Sequence, residues 1–273
     1  MNFSAAGEAF ARLAGVMQKL RSEGGCPWDR QQDHQSLRPY LIEEAYEVLE
    51  ALDDLGAKGD SVAGELCGEL GDLLFQVVVH SRLAEERGVF DLEKVCVGIE
   101  QKLLRRHPHV FGDAKVKDAN EVVKNWEQIK LAERAGQQKE AGPISAISSV
   151  PKALPALSRA QRITEKAAKH GFDWPDSEGP LQKILEELQE IKEAKDQEHR
   201  AKEVGDLLFA VVNYARHLGV NAEDALRGST ERFNSRFSFI EESLFSQGRT
   251  LAQSNLEEMD ALWNEAKKKE ISS

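Results

Sequence analysis

Cysteine is scarce in this sequence: Cys26, Cys67 and Cys96 are the only three in 273 residues, and none forms a CxxC pair. An odd, scattered set excludes a disulfide framework and a thiolate zinc site, and the thiols are expected as small buried hydrophobes. Long hydrophobic runs are missing too. The most apolar stretch, around Leu73 to Val79, is far too short to span a bilayer. The opening residues MNFSAAGEAF have neither a basic segment nor a following apolar block, so no secretory leader is expected and the chain is read as cytoplasmic. Positive charge is in deficit: 36 Lys and Arg against 47 Asp and Glu give a net charge of -11. That balance speaks against a nucleic-acid polymer or an anionic membrane as partner, and a polyanionic ligand would need its own local cations. Alternating strand patterns and hairpin dipeptides are scarce as well. What remains is helical periodicity, and the expected fold class is all-α.

The helical pattern lapses once. Between Ala135 and Gln161 the segment AGQQKEAGPISAISSVPKALPALSRAQ gathers Gly136, Gly142, Pro143, Pro151 and Pro155, the composition of a linker. Two helical domains are therefore expected, residues 1–135 and 156–273, joined by a linker over 136–155. The halves also echo each other. ELGDLLFQVVVHSR, with Glu69 ahead of Gly71, returns as EVGDLLFAVVNYAR, with Glu203 ahead of Gly205. CPWD, beginning at Cys26, has a loose counterpart in FDWPD, beginning at Phe172. The i, i+4 basic pairs Lys102/Arg106 and Arg232/Arg236 follow, then the pairs Trp126/Lys130 and Trp263/Lys267. One order kept throughout indicates a tandem duplication.

Each half carries EExxE followed by ExxD: Glu43, Glu44, Glu47, Glu69 and Asp72, then Glu186, Glu187, Glu190, Glu203 and Asp206. Positions i, i+3 and i+4 share a helix face, so two such helices packed antiparallel converge their carboxylates. A lone EExxE has a simpler reading, a solvated face, because glutamate is a good surface helix former. The first helix of the pair allows that: Leu181, Ile184, Leu185, Leu188 and Ile191 form one stripe, and the acids lie opposite. The second helix argues against it. Leu207 to Val212 is apolar in every direction, the mark of a buried helix, and Glu203 and Asp206 lead into that run. Carboxylates about 5 Å apart at an effective dielectric near 20 repel by about 3 kcal/mol per pair, so a cation is expected among them. All-oxygen ligands suit Mg²⁺, with Mn²⁺ as a substitute, whereas a di-iron bundle would carry ExxH motifs. A helix with an apolar stripe on one side and buried acids on the other needs cover on both. Four-helix packing, completed by a second subunit or by the other repeat, is the expected solution.

Mg²⁺ held by one wall of carboxylates keeps positions that phosphate oxygens commonly fill. The basic pairs are then candidates for neutralising a polyphosphate, against the ordinary reading of solvated faces. Trp263 and Lys267 share a helix face, from which an indole can stack on a nucleobase while the ammonium meets phosphate; the competing reading is a tryptophan that anchors the terminal helix. His80 falls in line with Asp72 on the wheel and is expected as a hydrogen-bonded core histidine. RRHPHVF, from Arg105 to Phe111, is expected as a loop rather than a metal site.

Together the tandem EExxE and ExxD motifs, CPWD, GDLLFQVV, RRHPHVF and NWEQIK resemble the MazG family of the all-α NTP pyrophosphatase superfamily, over nearly the whole chain. The resemblance implies two MazG-like domains, homodimers built from repeat-to-repeat contacts, and Mg²⁺-dependent hydrolysis of a nucleoside triphosphate, ribo or deoxy, between its α and β phosphates. It also implies that the second repeat carries the activity, the family pattern falling on Lys183, Glu186, Glu187, Glu190, Glu203, Asp206, Arg232, Arg236, Trp263 and Lys267. Arg232 stands where lysine also fits. Lys183 sits one turn before Glu187, whereas Tyr40 holds the matching place before Glu44, so the first repeat lacks one phosphate contact although its acids are complete. Glu187, Glu190, Glu203 and Asp206 are then the metal ligands, Glu186 a supporting group and Glu190 the candidate base, with Glu44, Glu47, Glu69 and Asp72 the metal set of the first repeat. A nucleotide sensor without turnover and a helical scaffold with solvated acids are the rival readings.

Overall fold

The computed structural model describes residues 3–137 and 145–271, and every regular element among them is helical. The chain divides into two compact units, Met1–Lys139 and Glu140–Ser273. Of the expected linker, residues 138–144 lie outside the described residues.

The first unit comprises α1 (Phe3–Arg21), α2 (Pro27–Gln31), α3 (Arg38–Lys58), α4 (Ala63–Glu86), α5 (Leu92–Arg106), α6 (Pro108–Phe111) and α7 (Ala119–Gln137). RRHPHVF thus contains a turn of helix where a loop was expected, because Pro108 takes the first helical position, which needs no N–H. Gly59, at φ 68°, ends α3 in the left-handed region and lets the chain turn back into α4. The core gathers Met17 of α1, Leu37, and Val78, Val79 and Leu83 of α4, with Phe10, Leu13 and Phe75 packed against them. Arg21 donates to Glu86 (Nη2 to Oε2, 2.8 Å) and to the Asp29 and Gln32 carbonyls, tying α2 to the end of α4.

The second unit comprises α8 (Ala156–Ala168), α9 (Glu178–Glu193), α10 (Gln197–His217), α11 (Ala222–Ser246) and α12 (Leu256–Ile271). The short connection from Glu193 to Gln197 makes α9 and α10 an antiparallel hairpin. Asp196 caps α10 by accepting from the His199 N–H at 2.8 Å, and Asn221 caps α11 by accepting from the Glu223 N–H at 3.0 Å.

Between α11 and α12, Arg249 Nη2 donates to Glu258 Oε2 at 2.8 Å and Ser254 Oγ donates to the same oxygen at 2.6 Å. The Arg249 guanidinium, then the Ser254 hydroxyl, hold the Glu258 carboxyl down at about 2 from its ordinary 4.5. A carboxyl depressed on folding adds stability that is present above its unfolded value and lost as pH falls through the folded one. We therefore expect thermal stability to decline between about pH 4.5 and pH 2, and Arg249→Gln to flatten that decline in melting temperatures recorded against pH.

Of the two faces of the acid hairpins expected to need cover, a single chain covers the acid one. Glu187 is on the buried side of α9 at 3% exposure, while Leu185 of the apolar stripe is 53% exposed. Nor is α10 enclosed all round within one chain: Val204, Leu208 and Val211 form an open stripe at i, i+4 and i+7, which Leu70, Leu74 and Val77 repeat on α4. The physical reason is that each hairpin turns its acid faces inward, and two helices have only one shared inner face. Cys67 falls on the open α4 stripe and Cys96 is exposed on α5, so these thiols are not the buried hydrophobes expected; Cys26 is half-buried. Among the described residues no helix is long and apolar enough to cross a membrane.

Candidate active site

The inward face of the α9–α10 hairpin brings the second acid set together. Carboxylate oxygens of Glu187, Glu203 and Asp206 lie within 4.8 Å of one another. Lys183, one turn before Glu187, donates from Nζ to Glu187 Oε1 and Glu186 Oε1, both at 2.7 Å. The hydrogen bonds to Glu186 and then Glu187 push the Lys183 ammonium above its ordinary range and hold it charged. Glu203, also buried, has His199 Nε2 at 3.0 Å and Lys202 Nζ at 3.6 Å from its Oε1. Glu187 Oε2 is buried and has no hydrogen-bond partner among the described residues. A buried carboxylate oxygen among other carboxylates, with no donor of its own, fits a hard divalent cation, and the donor set is all oxygen.

Glu190, expected as a fourth ligand, is outside that tight group but adjoins it. Burial, then the hydrogen bond and charge of Glu187 and the charge of Glu203, raise its carboxyl above the ordinary value against the pull of Lys183. Like charges close together favour retaining a proton.

A cavity of about 530 Å³ shares three walls with this cluster, Lys183, Glu187 and Asp206, and is otherwise walled chiefly by apolar and aromatic groups including Phe172, Trp174 and Phe209. Trp174 lies so close to Gly179 that any Cβ there would collide with the indole. Between the aromatics, Asp173 is gripped by Arg216 (Nη1 to Oδ2, 2.9 Å; Nη2 to Oδ1, 2.5 Å) and approached by His217 Nε2 at 3.0 Å. Arg216 Nε donates to Asn213 Oδ1 at 2.9 Å. Sequence reasoning saw FDWPD only as an echo of CPWD and missed Asn213, Arg216, His217, His199 and Lys202. The available signal was an aromatic pair flanking an acid just before the acid helix, with Arg216 and His217 near the end of the next.

The remaining expected residues lie on α11 and α12. Arg232 Nη2 donates to Ser229 Oγ at 2.7 Å. Trp263 packs against Phe233 with ring centroids 5.1 Å apart, and the Arg236 guanidinium sits 5.4 Å from the indole centroid. Lys267 is exposed. Trp263 does not line the acid-bordered cavity, where the aromatics are Phe172, Trp174 and Phe209.

In the first unit, oxygens of Glu44, Glu47 and Glu69 lie within 4.8 Å of one another, and Asp72 is outside that group. Burial, then the charges of Asp72 and Glu47, raise the Glu44 carboxyl. Gln76 stands within hydrogen-bonding range of Glu44, and its Oε1 is buried without a partner. His80 is half-buried rather than in the core: its Nδ1 lies 2.9 Å from His34 Nδ1, and its Nε2 has no hydrogen-bond partner among the described residues. Of the basic pair Lys102/Arg106, Arg106 is taken by Glu133 (Nη2 to Oε2, 2.6 Å). Arg106, then Arg105, hold the Glu133 carboxyl down at about 2. Aligned on GDLLF, Gln76 and Val79 stand where the second unit has Ala210 and Asn213.

Two helical hairpins whose facing acids gather, the second beside an aromatic cavity, define an all-α carboxylate-site class. Residues 32–111 and 177–238 match the family described as the MazG nucleotide pyrophosphohydrolase domain. The chain is 47% identical over 262 residues to the nucleoside triphosphate pyrophosphohydrolase/pyrophosphatase MazG of Thermotoga maritima, a match covering 96% of this chain and 97% of that one. It is 44% identical over 266 residues to the nucleoside triphosphate pyrophosphohydrolase of Escherichia coli K12, covering 95% and 97%. The uncharacterized protein YabN of Bacillus subtilis is 45% identical over 265 residues, which are 96% of this chain and 52% of that protein. The chain belongs to the MazG nucleotide pyrophosphohydrolase family.

Proposed function

We propose that the second unit hydrolyses nucleoside triphosphates, ribo or deoxy, with Mg²⁺, giving the monophosphate and diphosphate. Glu187 carries this reading: its unpartnered Oε2 is buried beside Glu203 and Asp206, and the same residue borders an aromatic cavity. The relatives from Thermotoga maritima and Escherichia coli, matched along almost their whole length and named for this activity, support it.

Glu187, Glu203 and Asp206, with Glu190 adjoining, would hold Mg²⁺, or Mn²⁺ as a substitute. When bound, the ion lowers the pKa of a bound water and polarises phosphate oxygens. Glu190, which adjoins the three acids without belonging to their tight group, takes the proton from the attacking water. Lys183 exchanges one of its two carboxylate partners for a phosphate oxygen, and Glu186 keeps the ammonium in place. Arg232 and Arg236 of α11 and Lys267 of α12 are assigned to the remaining polyphosphate charge. The nucleobase is assigned to the cavity by Phe172 and Trp174, a departure from the stacking on Trp263 that the sequence suggested. Glu44, Glu47, Glu69 and Asp72 are assigned to a second cation site without turnover.

The open stripes on α9 and α10 support a homodimer in which two hairpins complete a four-helix bundle. Each leucine or valine fully covered there would contribute about 1.5–3 kcal/mol. The charge of -11 supports a small nucleotide as partner, with no nucleic-acid polymer and no membrane, and agrees with a cytoplasmic protein.

Diphosphate release from a panel of NTPs and dNTPs tests the function. We expect it with Mg²⁺ and none with chelator, and a rise in melting temperature on adding Mg²⁺, since a ligand at a hundred times its Kd stabilises by about 2.7 kcal/mol. Nucleotide binding without diphosphate would establish the sensor instead. No response to Mg²⁺ at all would establish the scaffold.

A further inference from the structure

Asn213 is 5% exposed and lies on the cavity wall. It follows Asp206 by seven residues on α10, two turns on, so it stands about 10 Å further along the same helix face. That separation is on the order of a nucleoside's length. A nucleotide with its phosphates at Asp206 therefore brings the far edge of its base to Asn213.

The orientation of the Asn213 amide is set by chemistry. Arg216 Nε has only a hydrogen to give, so the amide atom 2.9 Å from it is the oxygen. Arg216 is itself held by Asp173. The Asn213 NH₂ group makes no hydrogen bond to any described residue, yet it is not sealed away from solvent, which leaves it open to the cavity. Two further polar groups on this wall are committed. The Asp173 oxygens take Arg216 and His217. The Thr164 hydroxyl hydrogen goes to the carbonyl of Gln161 (2.9 Å) or Ala160 (3.2 Å), so its oxygen can only accept from a ligand.

We infer that Asn213 selects the nucleobase by donating from its pinned amide to a ring carbonyl, so that 4-oxopyrimidine and 6-oxopurine nucleotides are favoured over their amino counterparts. This rests on the nucleotide reading of the second unit and deepens it. The Thr164 oxygen suits the ring N–H that adjoins such a carbonyl. An exocyclic amine in the same place would face amide hydrogens and lose its own hydrogen bond on leaving water. The first unit has Val79 at this position and offers no such donor.

The test uses pairs that differ only at that substituent, UTP with CTP and ITP with ATP, assayed for diphosphate release by the full chain with Mg²⁺. Wild type should favour the oxo member of each pair in kcat/KM by about tenfold to a hundredfold. Asn213→Ala should bring both ratios near one. Asn213→Asp, whose second oxygen can only accept, should carry them below one. Each ratio is internal to one variant, so a loss of folded protein does not imitate the result. Wild-type ratios near one, or ratios unmoved in both variants, overturn the assignment while the nucleotide reading stands. No release from any nucleotide by wild type overturns both.

Discussion

Glu187→Ala should lower diphosphate release by more than about 100-fold at saturating Mg²⁺, while Glu44→Ala should change it only a few-fold. Loss of a group that merely orients a metal ligand already costs about 10–100-fold, and Glu187 is placed to ligate directly. Both acids sit in EExxE motifs and both are drawn into clusters of carboxylate oxygens. What separates them is their surroundings. Glu187 has Lys183 one turn away and borders the aromatic cavity, whereas Tyr40 holds the place of that lysine and packs edge-on against Trp28, 6.2 Å between centroids. Glu187→Gln keeps the side-chain volume and should lose turnover equally, which separates lost ligation from lost packing. If Glu44→Ala abolished turnover and Glu187→Ala did not, the working half would have been assigned to the wrong unit.

Ala210→Gln should reduce kcat/KM by about 100-fold and leave Mg²⁺ binding intact. Ala210 lines the cavity, and its counterpart Gln76 shows what a long amide does there: it lies almost fully buried within reach of Glu44. Displacing a bound reactant by about 1 Å costs on the order of 10²-fold, and a glutamine side chain in the cavity would displace the base by at least that much. The first unit's acids gather even with Gln76 within reach of Glu44, so an amide beside Glu187 is compatible with the cluster, and the rise in melting temperature with Mg²⁺ should persist. Losing that rise together with turnover would mean the substitution had disturbed the hairpin rather than filled the cavity. The reverse change, Gln76→Ala, should not create activity in the first unit, because Tyr40 and Val79 still stand where Lys183 and Asn213 are needed.

Helical periodicity, the proline- and glycine-rich break and the repeated GDLLF were legible along the chain because each is local: a helix face is set by spacing, and a duplication by order. The same spacing placed Glu187, Glu203 and Asp206 on facing helices, and the all-oxygen chemistry of the cluster follows from residue types alone. Burial was not legible. A wheel tells which residues share a side but not which side meets a neighbour: both faces of α9 needed cover, and only the structure shows that a single chain buries Glu187 and leaves Leu185 open. The cavity was not legible either, since Phe172, Trp174, Lys183, Asp206 and Asn213 come from three separate segments that only packing unites. Sequence by itself determined an all-α chain with two sets of acids in repeated motifs. Tertiary structure alone decided that the second set stands beside a cavity, because Ala210 and Asn213 matter only once a wall exists for those side chains to face.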